Sequence, residues 1–388
     1  MNAPRTQPPS LSSRARHVAR RTRRRLGHMG ENALDWLRRD ELVLAERTPY
    51  EEVFREDITC VRHYLPLTDD SIDLQGQRVP VVPTRFRVPL VLVAPLAVTM
   101  RIYDLFPDRS LVKYLTARGF DVYLVDWGRP EARHDGLHLA DFFAGILPRA
   151  LAAVRAHSGS QRLSLHGWSF GGLFAMSYAA LGDPDIVNLV LVGAPCDYHA
   201  AGELGPHARR AAKQLSRLSE RTGLGVHRLP PRLMRSPGWA NSLMFKLTNP
   251  VGTLEGYGEL LLNLHDRDFV TAHATNAAFL DDMTAYPGAV TQDIIRHFWT
   301  DNCLLDGRLP LPGAHATLRD VTANLLVVAG TEDPIVPVRA TAPLLTLMGS
   351  RDKQLLTGPG GHTGILGGSR APQHLWAPVA DWLAARSN

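Results

Sequence analysis

One decapeptide constrains this chain more than any other: Leu163-Ser164-Leu165-His166-Gly167-Trp168-Ser169-Phe170-Gly171-Gly172 joins an apolar run to a helix-forming stretch. The G-x-S-x-G pattern alone is common, and its weight comes from this strand-to-helix context. A serine raised on so sharp a turn has strained backbone angles, and Gly167 and Gly171 remove side chains that would collide there. The turn also aims the amide of Phe170, and the positive end of the helix behind it, at an oxyanion formed when Ser169 attacks a carbonyl.

The surrounding pattern predicts a scaffold for such a turn. Short apolar runs at residues 89–96, 122–125, 163–165, 189–192, 325–329 and 354–356 fit buried strands, and residues 110–118, 139–157 and 170–181 are long enough for helices. Buried strands alternating with helices indicate a mostly parallel, doubly wound α/β sheet covered on both faces. Upstream, Leu34, Leu37, Leu42 and Leu44 predict a short amphipathic helix, and residues 53–67 alternate as one or two strands. Residues 196–318 interrupt the alternation and are too long for a loop, so they are expected to form a helical cap. The expected organisation is therefore an N-terminal segment 1–47, a core of 48–195 with 319–388, and an inserted cap at 196–318.

Two further motifs supply partners for Ser169. The run 324–330 leads into Thr331-Glu332-Asp333-Pro334, and residues 355–361 end in a glycine turn that carries His362. The order Ser169, Asp333, His362 is that of α/β-hydrolases, and each residue follows the C-terminal end of a predicted strand, where doubly wound sheets place their sites. Ser169 would attack an acyl carbonyl, His362 would relay the proton, and Asp333 would orient the imidazole; Glu332 remains an alternative acid. The second oxyanion donor is expected from the backbone of Leu96 or Ala97. His166 reads as a packing residue, Cys196 as a thiol without an activating neighbour, and Tyr103-Asp104 and Asp126-Trp127 as wall residues.

The net charge of +5 is misleading as a guide to partners. Eight arginines lie within residues 1–25 and no acid does, so the remainder of the chain is slightly acidic. This excludes a basic nucleic-acid-binding face; a solvated tail, or attachment to an anionic membrane or granule surface, is expected instead. Cys60, Cys196 and Cys303 are far apart and odd in number, with no CxxC and no Cys/His cluster at metal-ligand spacing, so no disulfide framework and no metal site is expected. No apolar window is long enough to span a membrane and no secretory apolar core follows the arginines, which points to a cytoplasmic protein.

With these residues in hand, the chain resembles the polyhydroxyalkanoate synthases, particularly the short catalytic subunits of two-component enzymes. The matching segments include Thr48-Pro49-Tyr50-Glu51-Glu52-Val53, residues 89–93 and 102–111, Val122 through Gly128, the serine turn, Phe279-Leu280-Asp281-Asp282-Met283, Pro287-Gly288, Asp301-Asn302 and Gly361-His362. The resemblance covers roughly residues 48–385, cap included. It implies an α/β-hydrolase core, 3-hydroxyacyl-CoA thioesters as substrates, no bound cofactor, and a second subunit or a homodimer. That family uses a cysteine where this chain has Ser169, and tends to carry a histidine where this chain has Pro334. Three readings follow: an acyltransferase using a hydroxyacyl thioester, a hydrolase of oxoesters or thioesters, or a non-catalytic granule or surface binding protein.

Overall fold

The computed structural model describes residues 27–388 except 37, 84–85, 203–205, 208, 212, 215–216, 218–224 and 314. The arginine-rich segment 1–25 lies outside the described residues.

Eight strands form the central sheet: β1 (Tyr50–Glu56), β2 (Thr59–Tyr64), β3 (Leu90–Val93), β4 (Val122–Asp126), β5 (Leu163–Trp168), β6 (Ile186–Val192), β7 (Asn324–Gly330) and β8 (Lys353–Gly358). Their order is β1-β2-β4-β3-β5-β6-β7-β8. All neighbours from β4 to β8 pair in parallel, and the first two strands pair antiparallel. Burial explains the split. Every residue of β3 and β5 is buried, as two-sided cover demands, whereas β1 at the sheet edge is largely exposed. The region 53–67 thus resolves into two strands with a short turn between them, and the run 89–96 leaves the sheet after Val93.

Among the helices that cover the core are α1 (Leu111–Ala117), α2 (Leu147–Ser158) and α3 (Phe170–Ala180). From Gly171 onward every residue of α3 is buried, so this helix is apolar on all sides and packs against β3, β5 and β6. The stretch expected to be one helix from 139 to 157 opens instead with a wide turn over Asp141–Ile146 before α2 begins.

Between β6 and β7 the described residues include helices α4 (Gly238–Leu247), α5 (Pro250–Leu262), α6 (Arg267–Asp281) and α7 (Gly288–Asp293), matching the expected helical character. The chain divides into two compact units, residues up to Leu44 with Asn249–Leu280, and Ala45–Thr248 with Asp281–Asn388. This division differs from the sequence boundaries, because α5 and α6 pack with the N-terminal segment rather than with the rest of the insertion. In the smaller unit Leu42, Leu260, Val270 and Ala274 form a buried cluster flanked by Trp36, Leu264 and Phe269. The amphipathic stripe expected over 31–46 is only partly realised. The helix over 27–36 is followed by a tight turn at Arg39–Leu42, which buries Leu42 but leaves Leu34 66% exposed.

Candidate active site

Ser169 stands between β5 and α3 with φ 54° and ψ −123°. Close packing dictates the glycines around it. A Cβ on Gly171 would sit 1.9 Å from the Val93 carbonyl oxygen, and one on Gly167 would sit 2.5 Å from the Gly171 carbonyl oxygen. The helix can therefore start directly against β3 only if these positions lack side chains. The Ser169 amide donates to the Val192 carbonyl at 2.9 Å, which anchors the turn to β6.

His362 reaches this turn from the loop after β8. Its Nε2 lies 2.9 Å from Ser169 Oγ and its Nδ1 lies 2.8 Å from Asp333 Oδ2. Both partners of this hydrogen bond are sheltered, with side-chain exposures of 6% for His362 and 0% for Asp333. The other oxygen of Asp333 accepts from the amides of Ile335 and Val336 at 2.8 and 2.9 Å, so the buried carboxylate is fully satisfied and fixed in direction. The adjacent Glu332 points elsewhere. It is half-exposed and paired with Arg370 at 2.5 Å, so the geometry selects Asp333 from the two acids the sequence left open.

Two contacts hold the imidazole in place that sequence reasoning did not single out. The Trp168 indole donates to the His362 carbonyl at 3.2 Å, and its ring lies 5.4 Å from the imidazole. Gly193, at φ 54° just past β6, lies against the same loop: a Cβ there would sit 2.9 Å from Ile365 Cδ1 and 3.4 Å from His362 Cε1.

The proposed oxyanion donors occupy suitable backbone. The amides of Phe170 and Ala97 enter no hydrogen bond among the described residues, which for Phe170 follows from its place in the first turn of α3. Ala97 has φ 68°, an uncommon conformation for a residue with a Cβ, and its carbonyl accepts from Thr284 at 3.0 Å, while Leu96 is buried. Trp127 props this loop from beneath: its indole donates to the Ala94 carbonyl at 2.7 Å. Asp104 accepts from Thr48, and Asp126 accepts from Gly128 and Arg62, so both carboxylates brace loops.

The remaining candidates are chemically quiet. Cys196 is buried, with its thiol directed at the Ala340 carbonyl and its pKa pushed up to about 12 by desolvation. The same cause raises Cys303 to about 12 and Cys60 to about 11, so no thiol is primed as a nucleophile. His166 is buried, and desolvation lowers its pKa to about 4.

Beside the serine turn lies an aromatic group with no precedent in the sequence pattern. The Phe170 ring lies 6.5 Å from Tyr198, 6.0 Å from Tyr286 and 6.1 Å from Phe298, and Tyr198 stacks on Phe298 at 4.3 Å. The Tyr198 hydroxyl is buried with no partner among the described residues. Asn302 fixes this group to the core by accepting from the Tyr198 amide and donating to Asp197, each at 2.9 Å.

Comparison with known proteins places this chain in a family. A family model described as alpha/beta hydrolase fold matches residues 102–369. The chain is similar to the poly(3-hydroxyalkanoate) polymerase subunit PhaC of Haloferax mediterranei, with 28% identity over 346 residues covering 89% of this chain and 65% of that protein. It is also 28% identical to the protein of the same name from Allochromatium vinosum, covering 94% of this chain and 95% of the relative. In structure it resembles a soluble variant of monoglyceride lipase from Saccharomyces cerevisiae in complex with a substrate analog, at 13% identity and a TM-score of 0.54, covering 89% and 96% of the two chains. That likeness is one of fold. Among the described residues no helix is long and apolar enough to cross a membrane. Since the family match spans residues 102–369, from β4 through the serine turn to the histidine loop, the chain belongs to the α/β-hydrolase fold family, as one of its enzymes.

Proposed function

We propose that this protein is a serine-nucleophile acyl-transfer enzyme that takes (3-hydroxy)acyl thioesters, CoA thioesters among them, in the manner of the polyhydroxyalkanoate polymerases it resembles. The observation that carries this reading is the continuous contact from Ser169 Oγ through the His362 imidazole to the buried Asp333 carboxylate. In the first half-reaction Ser169 Oγ attacks the thioester carbonyl and its proton passes to His362 Nε2. The carbon–sulfur bond then breaks, and the thiolate leaves with that proton. An acyl-Ser169 ester remains. In the second half-reaction an acceptor hydroxyl gives its proton to His362 and attacks the acyl carbon; the new ester forms as the acyl–Oγ bond to Ser169 breaks, and His362 returns the proton to Ser169 Oγ. Phe170 and either Ala97 or Leu96 supply the amides that stabilise the tetrahedral oxyanion. The scheme uses side chains and backbone alone, without a cofactor or metal.

Hydrolysis is the second reading, favoured by a specific observation. Ser169 is half-buried rather than sealed, and water that reached the acyl-serine would release free acid. The aromatic group of Phe170, Tyr198, Tyr286 and Phe298 supports the transferase, since apolar walls shelter an acyl chain and exclude water. Incubation with 3-hydroxybutyryl-CoA separates the two readings: polymer or transferred ester identifies the transferase, and free acid alone identifies the hydrolase. A purely binding role has no use for a buried, fully satisfied Asp–His pair.

Partner contacts are also proposed. Helix α4 exposes Trp239 at 72%, Leu243 at 50%, Met244 at 55% and Leu247 at 56% along one stripe, which supports association with a second subunit or a second copy of the chain. Light scattering of the wild type against Trp239→Ser tests it. The arginines of residues 1–25 would add peripheral attachment to an anionic membrane or granule surface; deleting them should weaken vesicle binding and leave turnover of soluble substrate intact.

A further inference from the structure

At the exposed edge of the sheet three potential ligands face one another. Glu51 on β1 and His63 on β2 are cross-strand partners, and His63 is in turn registered with Tyr123 on β4. Cross-strand partners share a face of the sheet, so these residues form one row. His157, in the last turn of α2, completes the group. Glu51 Oε1 lies 2.9 Å from His63 Nδ1 and 3.5 Å from His157 Nε2. One ligand atom from each of the three residues falls within 4.8 Å of the others.

We infer that Glu51, His63 and His157 form a site for a divalent transition cation of the Zn²⁺ type. The spacing suits the ion: bonds of about 2.0–2.1 Å in tetrahedral array separate ligand atoms by roughly 3.4 Å, so only small adjustments are needed. Two imidazoles and a carboxylate favour Zn²⁺ or its neighbours over Mg²⁺ or Ca²⁺.

The rear side of each ring carries the second argument. His63 Nε2 lies 2.9 Å from Asp121 Oδ1, and His157 Nδ1 lies 2.9 Å from the Tyr123 hydroxyl, which itself donates to Asp121 Oδ2 at 3.1 Å. A ligating histidine characteristically gives its far N–H to an oxygen that fixes the ring's orientation. Here both rings are so held, and both supports converge on Asp121. The His63 ring is also stacked on Tyr123 at 4.7 Å, and it alone of the three ligands is buried. With Glu51 and His157 at the surface, a cation can enter from solvent and keep a water as its fourth ligand. Bound there, it would cross-link β1, β2 and α2, which makes its role structural.

The test uses the full chain stripped with a chelator and titrated with Co²⁺, then Zn²⁺. One equivalent of Co²⁺ should give the intense visible absorption of a tetrahedral site, Zn²⁺ should displace it, and Zn²⁺ should raise the thermal midpoint. Glu51→Gln and His157→Ala, both at exposed positions, should each abolish the Co²⁺ band, and Asp121→Asn should weaken binding by about 10- to 100-fold. Absence of the band in the wild type would overturn the assignment, as would a band that survives in the Glu51→Gln/His157→Ala double variant.

Discussion

Ser169 Oγ lies 2.9 Å from His362 Nε2, although 193 residues separate the two in the chain. The fold brings them together by ending β5 and β8 on the same rim of the sheet, and the β7 loop delivers Asp333 to the far side of the imidazole. The first prediction is that Ser169→Ala lowers kcat by about 10⁶-fold with the fold unchanged by circular dichroism. Loss of only a few-fold would remove Ser169 from the chemistry.

Asp333 and Glu332 are adjacent but differ in environment. Asp333→Asn should lower kcat on the order of 10⁴-fold, because the imidazole loses its orienting acceptor and its tautomer is no longer enforced. Glu332→Gln removes only an exposed ion pair with Arg370, and its kcat should stay within about twofold of wild type. Steady-state kinetics of the two variants side by side would expose a reversal of roles.

Gly171→Ala forces a Cβ to within 1.9 Å of the Val93 carbonyl oxygen, a backbone atom that cannot swing aside. The expected cost is about 3 kcal/mol or more, read from urea unfolding. Gly364→Ala is the matched control, since a Cβ there meets nothing within 4 Å; its stability should differ from wild type by less than about 1 kcal/mol. Equal effects in the two variants would contradict the packing argument.

His166 is buried among apolar side chains, its Nδ1 has no partner among the described residues, and desolvation pushes its pKa from 6.5 down to about 4. The unfolded chain takes up a proton below about pH 6.5, whereas the folded protein resists it until about pH 4, so stability falls as pH drops through that window. The loss attributable to this residue is at most about 3 kcal/mol. In His166→Leu the difference in unfolding free energy between the two ends of the window should shrink, and an unchanged slope would assign it to other groups.

Much of this architecture was readable in the residues because its parts are local. Apolar runs such as 122–125 and 325–329 mark buried strands whose ends extend by a residue or more once pairing is seen, and the serine turn declares itself through glycines that close packing requires. Asp333 was the expected acid, but excluding Glu332 needed the structure, since it depends on which carboxylate is buried against backbone amides. The aromatic group around Phe170 escaped because Tyr198, Tyr286 and Phe298 approach one another only through tertiary packing. The same holds for Glu51, His63 and His157. They come from the edge strand, its neighbour and a helix end, so no ligand spacing appears in the sequence.

The most direct test of the central claim is to identify the atom that carries the acyl group. Rapid quenching of the protein with 3-hydroxybutyryl-CoA, followed by peptide mass mapping, should find a hydroxybutyryl adduct on the peptide containing Ser169, and none in Ser169→Ala. An adduct on Cys196 or another residue, or turnover that proceeds undiminished in Ser169→Ala, would contradict the account.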